Sequence, residues 1–197
     1  ECIGSLSLGV KIGETYTDYS QGSVRQTGGT YDLALSGSGF FTVSVADKAG
    51  EVHTRYTRDG RFHLTKDGLL VDADGNAVQG QNGNITIDPS SKNVSISATG
   101  QITADGELVD TLNIVDFEDY DYLKKYGDTM YEPVDGATTK DAEGEILQGY
   151  TEQSNVNVVR EMVDMITITR AYEASQKVIH SYDSMLDKSV NQVGALK

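Results

Sequence analysis

At 197 residues with 38% hydrophobic content, no Trp, 21 Gly and 2 Pro, the chain has room for one domain with an aliphatic core plus an extended element, and is too poor in Pro for a collagen-like or Pro-rich disordered polymer. Its 16 Lys and Arg stand against 30 Asp and Glu, a formal net charge of -14, which disfavours nucleic acid and anionic lipid, both bound through basic side chains. One cysteine, Cys2, excludes an internal disulfide, and no apolar run approaches the ~20 residues of a membrane-spanning helix.

The charge is uneven. Residues 151–197 carry six acids and five bases, whereas residues 1–150 carry twenty-four and eleven. A near-neutral C-terminal part suits close packing against copies of itself; the remainder reads as a solvated acidic body. No signal peptide is discernible, and because the chain opens with Glu1 rather than Met, a preceding segment is expected.

Residues 1–30 are small, polar and Gly-rich and read as a connector, with a short strand predicted around Leu8–Ile12. Residues 31–125 read as a β domain. Apolar residues alternate in short runs there: Tyr31, Leu33, Leu35; Phe41, Val43, Val45; Phe62, Leu64; Leu69, Val71; Ile85, Ile87; Val94, Ile96; Leu112, Ile114. Period-two alternation marks half-buried strands. The pairs Asp59-Gly60, Asp67-Gly68, Asp74-Gly75, Asn82-Gly83 and Asp105-Gly106 supply the positive φ angles of tight hairpins. GRFHLTKDGLLVD (60–72) and GQITADGELVD (100–110) repeat the same hairpin chemistry without forming a repeat array. The fold class expected is mainly β with α: an antiparallel, Gly-rich sandwich or barrel-like domain followed by a long amphipathic helix.

Residues 126–150 are polar and acidic and read as a linker or loop, after a short helix at Tyr120–Lys125. Residues 151–197 carry the C-terminal axial helix, predicted over 155–193 with Ser154 or Asn155 as N-cap and Gly194 as its stop. At 1.5 Å per residue that is roughly 60 Å. Val158, Met165, Tyr172, Ile179, Leu186 and Val193 recur every seventh residue. Met162, Ile166, Ile168, Val178, Tyr182, Met185 and Val190 widen the stripe, while Thr169, Gln176 and Asp183 interrupt one flank. A sustained heptad implies a partner helix along the seam. The candidate interface residues are therefore Val158, Met162, Met165, Ile166, Tyr172, Ile179, Tyr182 and Leu186. Arg160–Asp164 and Glu173–Lys177 stand at i,i+4 and are expected to pair.

Catalytic chemistry finds no support. His53, His63 and His180 sit in no set with metal-ligand spacing along the chain. There is no G-x-S-x-G elbow, and Gly37-Ser38-Gly39 opens neither a dinucleotide nor a phosphate loop. Asp72-Ala73-Asp74-Gly75-Asn76 starts like a calcium loop but has Ala77 and Gly83 where glycine and glutamate are required, so it reads as a hairpin turn. The acids Asp116, Glu118, Asp119 and Asp121 read as a solvated cluster. No catalytic residue, cofactor, metal or small-molecule substrate is assigned. A second reading, a secreted β-rich carbohydrate-binding module with a coiled-coil tail, requires a concave site with convergent polar groups.

Two stretches carry a family likeness. DLALSGSGFF (32–41), within residues 21–43, is followed by YTRDG (56–60) and a DG-x-LV hairpin. QGYTEQSNVNVVREMVDMI (148–166) runs on through RAYEA and Lys177 to Leu186. In this order they resemble the bacterial flagellar basal-body rod and hook family, across nearly the whole chain except residues 126–146; the ending QGYTEQSNVNVV is most similar to distal-rod members, with proximal-rod and hook paralogues as alternatives. The resemblance implies a non-enzymatic subunit located in the flagellar basal body and exported through the flagellar type III apparatus. It implies self-assembly with copies of itself and other rod and hook subunits into a hollow helical drive shaft. It further implies an N-terminal helix that pairs with the C-terminal one.

Overall fold

The computed structural model describes residues 13, 15–47 and 50–193. The strand expected at Leu8–Ile12, Cys2 and the Gly194 stop lie outside the described residues. The chain divides into two compact units, with the boundary between Ser154 and Asn155.

The first unit is a succession of short strands. They are β1 (Val24–Gln26), β2 (Leu33–Ser36), β3 (Phe40–Ala46), β4 (Val52–Thr57), β5 (His63–Leu64), β6 (Leu70–Val71) and β7 (Ala77–Gly80). Next come β8 (Gly83–Asn84), β9 (Val94–Ile96), β10 (Gln101–Ala104), β11 (Glu107–Thr111) and β12 (Ile114–Phe117). After a 3-10 turn at Tyr120–Tyr122 follow β13 (Leu123–Tyr126), β14 (Met130–Pro133), β15 (Thr139–Asp141), β16 (Glu145–Gln148) and β17 (Tyr150–Glu152). The second unit is the helix α1 (Val158–Lys188), continued by a π-helical turn at Ser189–Val193.

The main sheet runs β13-β14-β4-β3-β7-β6-β5, with β12 and β15 joined through β3 and β8 through β7. Three small sheets, β11-β10-β9, β16-β2 and β1-β17, complete the unit, and every strand pair is antiparallel. Among the described residues no sheet closes into a barrel. The antiparallel β architecture and the long C-terminal helix are those read from the pattern.

Strand β3 explains how the core is organised. Phe40 and Phe41 are consecutive, so they point to opposite faces of the sheet. Phe41 joins Leu33, Leu35, Val43, Leu70 and Val78 in the larger core, its ring edge-on to Phe62 at 5.2 Å. Phe40 enters a second core with Phe117 and Leu123, bounded by Tyr19, Tyr56, Tyr120 and Tyr131. On the Phe40 face the next residues are Thr42 and Ser44, which is why the alternation over Phe41, Val43 and Val45 reveals only one of the two cores. At the rim of the second core, Asp116 is fully buried. Its Oδ1 accepts from Tyr120 Oη and from the Phe117 amide, each at 2.8 Å, and Lys140 Nζ lies 3.1 Å from Oδ2.

Several expectations are corrected. Residues 126–150 form strands β14, β15 and β16 rather than a linker: Met130 and Ile146 reach the larger core, Tyr131 packs against the second, and the strands pair with β4, β12 and β2. The helix expected at Tyr120–Lys125 is one 3-10 turn leading into β13; Asp119 caps it by accepting from the Asp121 amide. The connector 1–30 contributes β1 to a ladder with β17, so the strand-bearing unit reaches beyond 31–125 in both directions. Gly60 needs no positive φ: a Cβ there would drive into the Leu33 carbonyl, and the Leu33 amide donates to Gly60 O at 2.9 Å. By contrast Asp105 and Gly106 both have positive φ, 51° and 92°, as a two-residue hairpin between β10 and β11 demands. The DADGN string is the turn expected: Asp72 Oδ1 accepts from the amides of Asp74 and Asn76 at 2.9 and 2.8 Å.

Candidate functional site

The helix α1 starts where Asn157, in extended conformation, turns its side chain back to accept from the amides of Val159 and Arg160 at 3.1 and 3.2 Å. The N-cap is thus Asn157 rather than Ser154 or Asn155. Three cap-competent residues lie within Ser154–Asn157, and local sequence cannot choose among them. Helical residues begin at Val158 instead of 155, and the regular α pattern ends at Lys188. At 1.5 Å per residue α1 is about 46 Å long.

None of its side chains is buried. The eight candidate interface residues, Val158, Met162, Met165, Ile166, Tyr172, Ile179, Tyr182 and Leu186, are each between 54% and 67% exposed. Spacings of three and four place them on neighbouring turns of one face. Val158, Met162, Met165 and Ile166 form one group, and Ile179, Tyr182 and Leu186 another; Tyr172 stands a heptad from Met165 and from Ile179. The heptad series drifts about 20° per repeat around a straight helix, so the stripe winds left-handed and favours a supercoiled partner.

Two of the three polar interruptions are satisfied within the helix. Thr169 Oγ1 donates to the Met165 carbonyl at 2.8 Å, and Gln176 Nε2 donates to Tyr172 Oη at 2.9 Å. Thr169 can therefore line an apolar seam at little cost, whereas Gln176 still offers its carbonyl oxygen and a second N–H to whatever covers it. Asp183 remains a charged break. Neither Arg160–Asp164 nor Glu173–Lys177 appears among the ion pairs formed by the described residues; solvated side chains at i,i+4 gain too little to stay closed.

The chain enters α1 from a ladder in the first unit. Strand β1 pairs with β17 through Val24↔Glu152, Arg25↔Thr151 and Gln26↔Tyr150. Just beyond the last pair, the Gln153 amide donates to Ser23 O at 2.9 Å, and the Gly22 amide donates to Glu152 Oε1 at 2.9 Å. Arg58 converges on the same place. Its Nε and Nη2 donate to the two Glu152 oxygens at 3.1 and 3.4 Å, and its Nη1 donates to the carbonyls of Gly37 and Gly39 at 3.0 and 2.9 Å. The guanidinium carbon lies 5.9 Å from the Phe40 ring centroid. Sequence reading missed this centre because 94 positions separate Arg58 from Glu152; its one signal was that the segments of Gly37 and Gly39, Arg58 and Glu152 all belong to the motifs of the family likeness.

His53 departs from its reading as remote from any ligand set. The β3–β4 hairpin brings its Nε2 to 3.7 Å from Asp47 Oδ2 and 4.0 Å from Glu51 Oε2. A divalent ion with bonds of about 2.1 Å draws its donors closer together than this. A hollow of about 410 Å³ is lined by Gln81, Thr99, Thr111, Asn113 and Glu145 among others; its lining contains no aromatic ring on which a sugar could stack.

Residues 147–193 match the family described as flagellar basal body rod FlgEFG protein C-terminal, and residues 34–104 match the flagellar hook protein FlgE/F/G D1 domain. Among curated relatives, the flagellar basal-body rod protein FlgG of Buchnera aphidicola subsp. Schizaphis graminum is 36% identical over 196 residues, which span 93% of this chain and 73% of the relative. FlgG of Bacillus subtilis is 32% identical, covering 94% of this chain and 74% of its own length. FlgF of Caulobacter vibrioides, also a basal-body rod protein, is 34% identical, covering 91% and 72%.

Proposed function

The chain belongs to the flagellar basal-body rod protein family, and from that premise we propose that the apolar stripe of α1 is the surface through which it joins the rod. It is a structural subunit of the bacterial basal-body rod, and its similarity to FlgG proteins supports the distal-rod branch. The observation that carries the proposal is an apolar stripe recurring along α1 from Val158 to Leu186, broken on one flank at Thr169, Gln176 and Asp183, with no side chain buried. Covering it against neighbouring helices removes on the order of 1,000 Å² from water, the scale of a stable interface. At about 25 cal/mol per Å² the gross gain is roughly 25 kcal/mol, before the entropy of association is subtracted.

The occupants proposed are copies of this chain and other rod and hook subunits, reached after export through the flagellar type III apparatus and self-assembly into a hollow helical drive shaft. No catalytic step belongs to this reading: the work is mechanical. The acidic charge concentrates outside the helix, so assembly brings together the nearly neutral parts while the acidic parts stay apart.

The test replaces Met165, Ile179 and Leu186 together with Glu. The expected outcome is a soluble protein whose β unit folds normally, as read by near-UV circular dichroism, with basal bodies lacking the subunit and cells that do not swim. Normal swimming by this variant sinks the proposal.

A further inference from the structure

The segments that carry the family likeness meet at one guanidinium. Gly37 and Gly39 lie in DLALSGSGFF, Arg58 is the arginine of YTRDG, and Glu152 closes QGYTE. We propose that Arg58 is a positioning residue for assembly: it holds shut the fork at which the chain leaves the β unit for α1. The proposal rests on the reading of α1 as the assembling element.

The ladder geometry shows why a fork needs holding. β1 and β17 are antiparallel, so residues 21–23 and residues 153–157 both continue from the Val24↔Glu152 end. A pull on the chain beyond Glu152 therefore opens the Gln153–Ser23 bond and then peels the ladder one pair at a time from Val24↔Glu152, instead of shearing all three pairs together. Glu152 is the residue Arg58 grips, and the same carboxylate accepts from the Gly22 amide, two residues ahead of β1. Both ionic side chains are largely covered, with 20% and 12% of their surface exposed, so water and salt screen the pair weakly. The remaining Arg58 bonds run to backbone carbonyls of the β2–β3 turn, tying the fork to the strand at the centre of the main sheet. The guanidinium makes four bonds here, two to the Glu152 carboxylate and one to each carbonyl; a lysine ammonium has three N–H groups on one atom and cannot reproduce the two-point grip on the carboxylate. The turn itself depends on glycine: Gly39 has φ +130°, and a Cβ there would lie 2.8 Å from Ala142 Cβ.

The test is site-resolved hydrogen exchange by mass spectrometry on the full chain, comparing the parent with Arg58→Ala, Arg58→Lys and Glu152→Gln. For Arg58→Ala, peptides covering residues 22–27 and 149–153 are expected to exchange about tenfold faster, the consequence of losing charge-assisted bonds, while β3 and β4 amides keep their protection. Arg58→Lys falls between Ala and the parent. If Arg58→Ala does not fold, Glu152→Gln, which keeps the shape and removes the charge, must still loosen the same peptides. Unchanged ladder exchange, or an equal rise in β3 and β4, overturns the proposal. In cells, Glu152→Gln at normal protein level is expected to lower the number of complete basal bodies; a full complement alongside a loosened ladder overturns the link to assembly. Loosened peptides together with free swimming by the Met165, Ile179 and Leu186 variant would instead refute the helix reading and leave the fork-holding role of Arg58 standing.

Discussion

Tyr120 and Asp116 share one hydrogen bond and titrate at opposite ends of the pH scale. Burial, and then the bond to Asp116 and its charge, push the Tyr120 phenol from 10.0 up to about 12. Burial on its own would raise the Asp116 carboxyl, but bonds from Tyr120, the Phe117 amide, Ser38 and Lys140 outweigh it and hold the group below its ordinary 3.8. The signs follow from linkage. A phenol raised in the fold adds stability that is complete below pH 10 and disappears as pH climbs through 12. A carboxyl lowered in the fold adds stability that is complete above pH 3.8 and disappears as pH falls through the lowered value. Denaturant unfolding as a function of pH is therefore expected to show a plateau between these limits. Tyr120→Phe should make the alkaline limb shallower, with Tyr19, Tyr31, Tyr56 and Tyr131, also raised by burial, supplying what remains. An alkaline limb unaltered in Tyr120→Phe would show that this pair does not control it.

At the scale of the element, α1 is a helix held by its own backbone, its cap and its propensities, with no side chain buried. A lone helix melts gradually, because most helical stability in proteins comes from packing an apolar face. Asn157→Ala removes the acceptor for two amide donors at the first turn and costs about 1 kcal/mol. In the free subunit that loss should appear as a lower helical signal in far-UV circular dichroism and a helix that frays at lower temperature. The β-unit transition should stay where it was. An unchanged helical signal would mean that Asn157 does not set the start. The period of the stripe was legible because residues three, four and seven apart are neighbours in any helix. The start was not, since Ser154, Asn155 and Asn157 are interchangeable until the backbone selects one.

For the whole molecule, the boundary at Ser154 and Asn155 predicts that a chain ending at Ser154 keeps its fold. Both cores lie on the N-terminal side of that boundary, so the melting temperature of the truncated β unit should stay within about 2 °C of the parent, the shift a fraction of a kcal/mol produces. Calorimetry of the two proteins checks this, and a drop of 10 °C or more would show that the C-terminal unit supports the β unit. The charge distribution belongs to this scale as well. With most of the net charge outside residues 151–197, the protein separates a soluble body from a nearly neutral helix.

What could be read along the chain was everything carried by neighbours in sequence: alternation in the strands, Asp-Gly turns, the heptad, the acidic balance. Those are local because side-chain direction repeats every two residues in a strand and every 3.6 in a helix. What required the folded chain was everything carried by distant partners. The strands within residues 126–150 exist because β4, β12 and β2 offer them edges. Phe40 founds a second core because strands on both sides of β3 expose their aromatics to it. Arg58 finds Glu152 because the ladder of β1 and β17 returns the chain to the turn at Gly37 and Gly39. None of these contacts leaves a period or a spacing behind, since the distance between partners is set by how the loops close and not by any repeat in the residues.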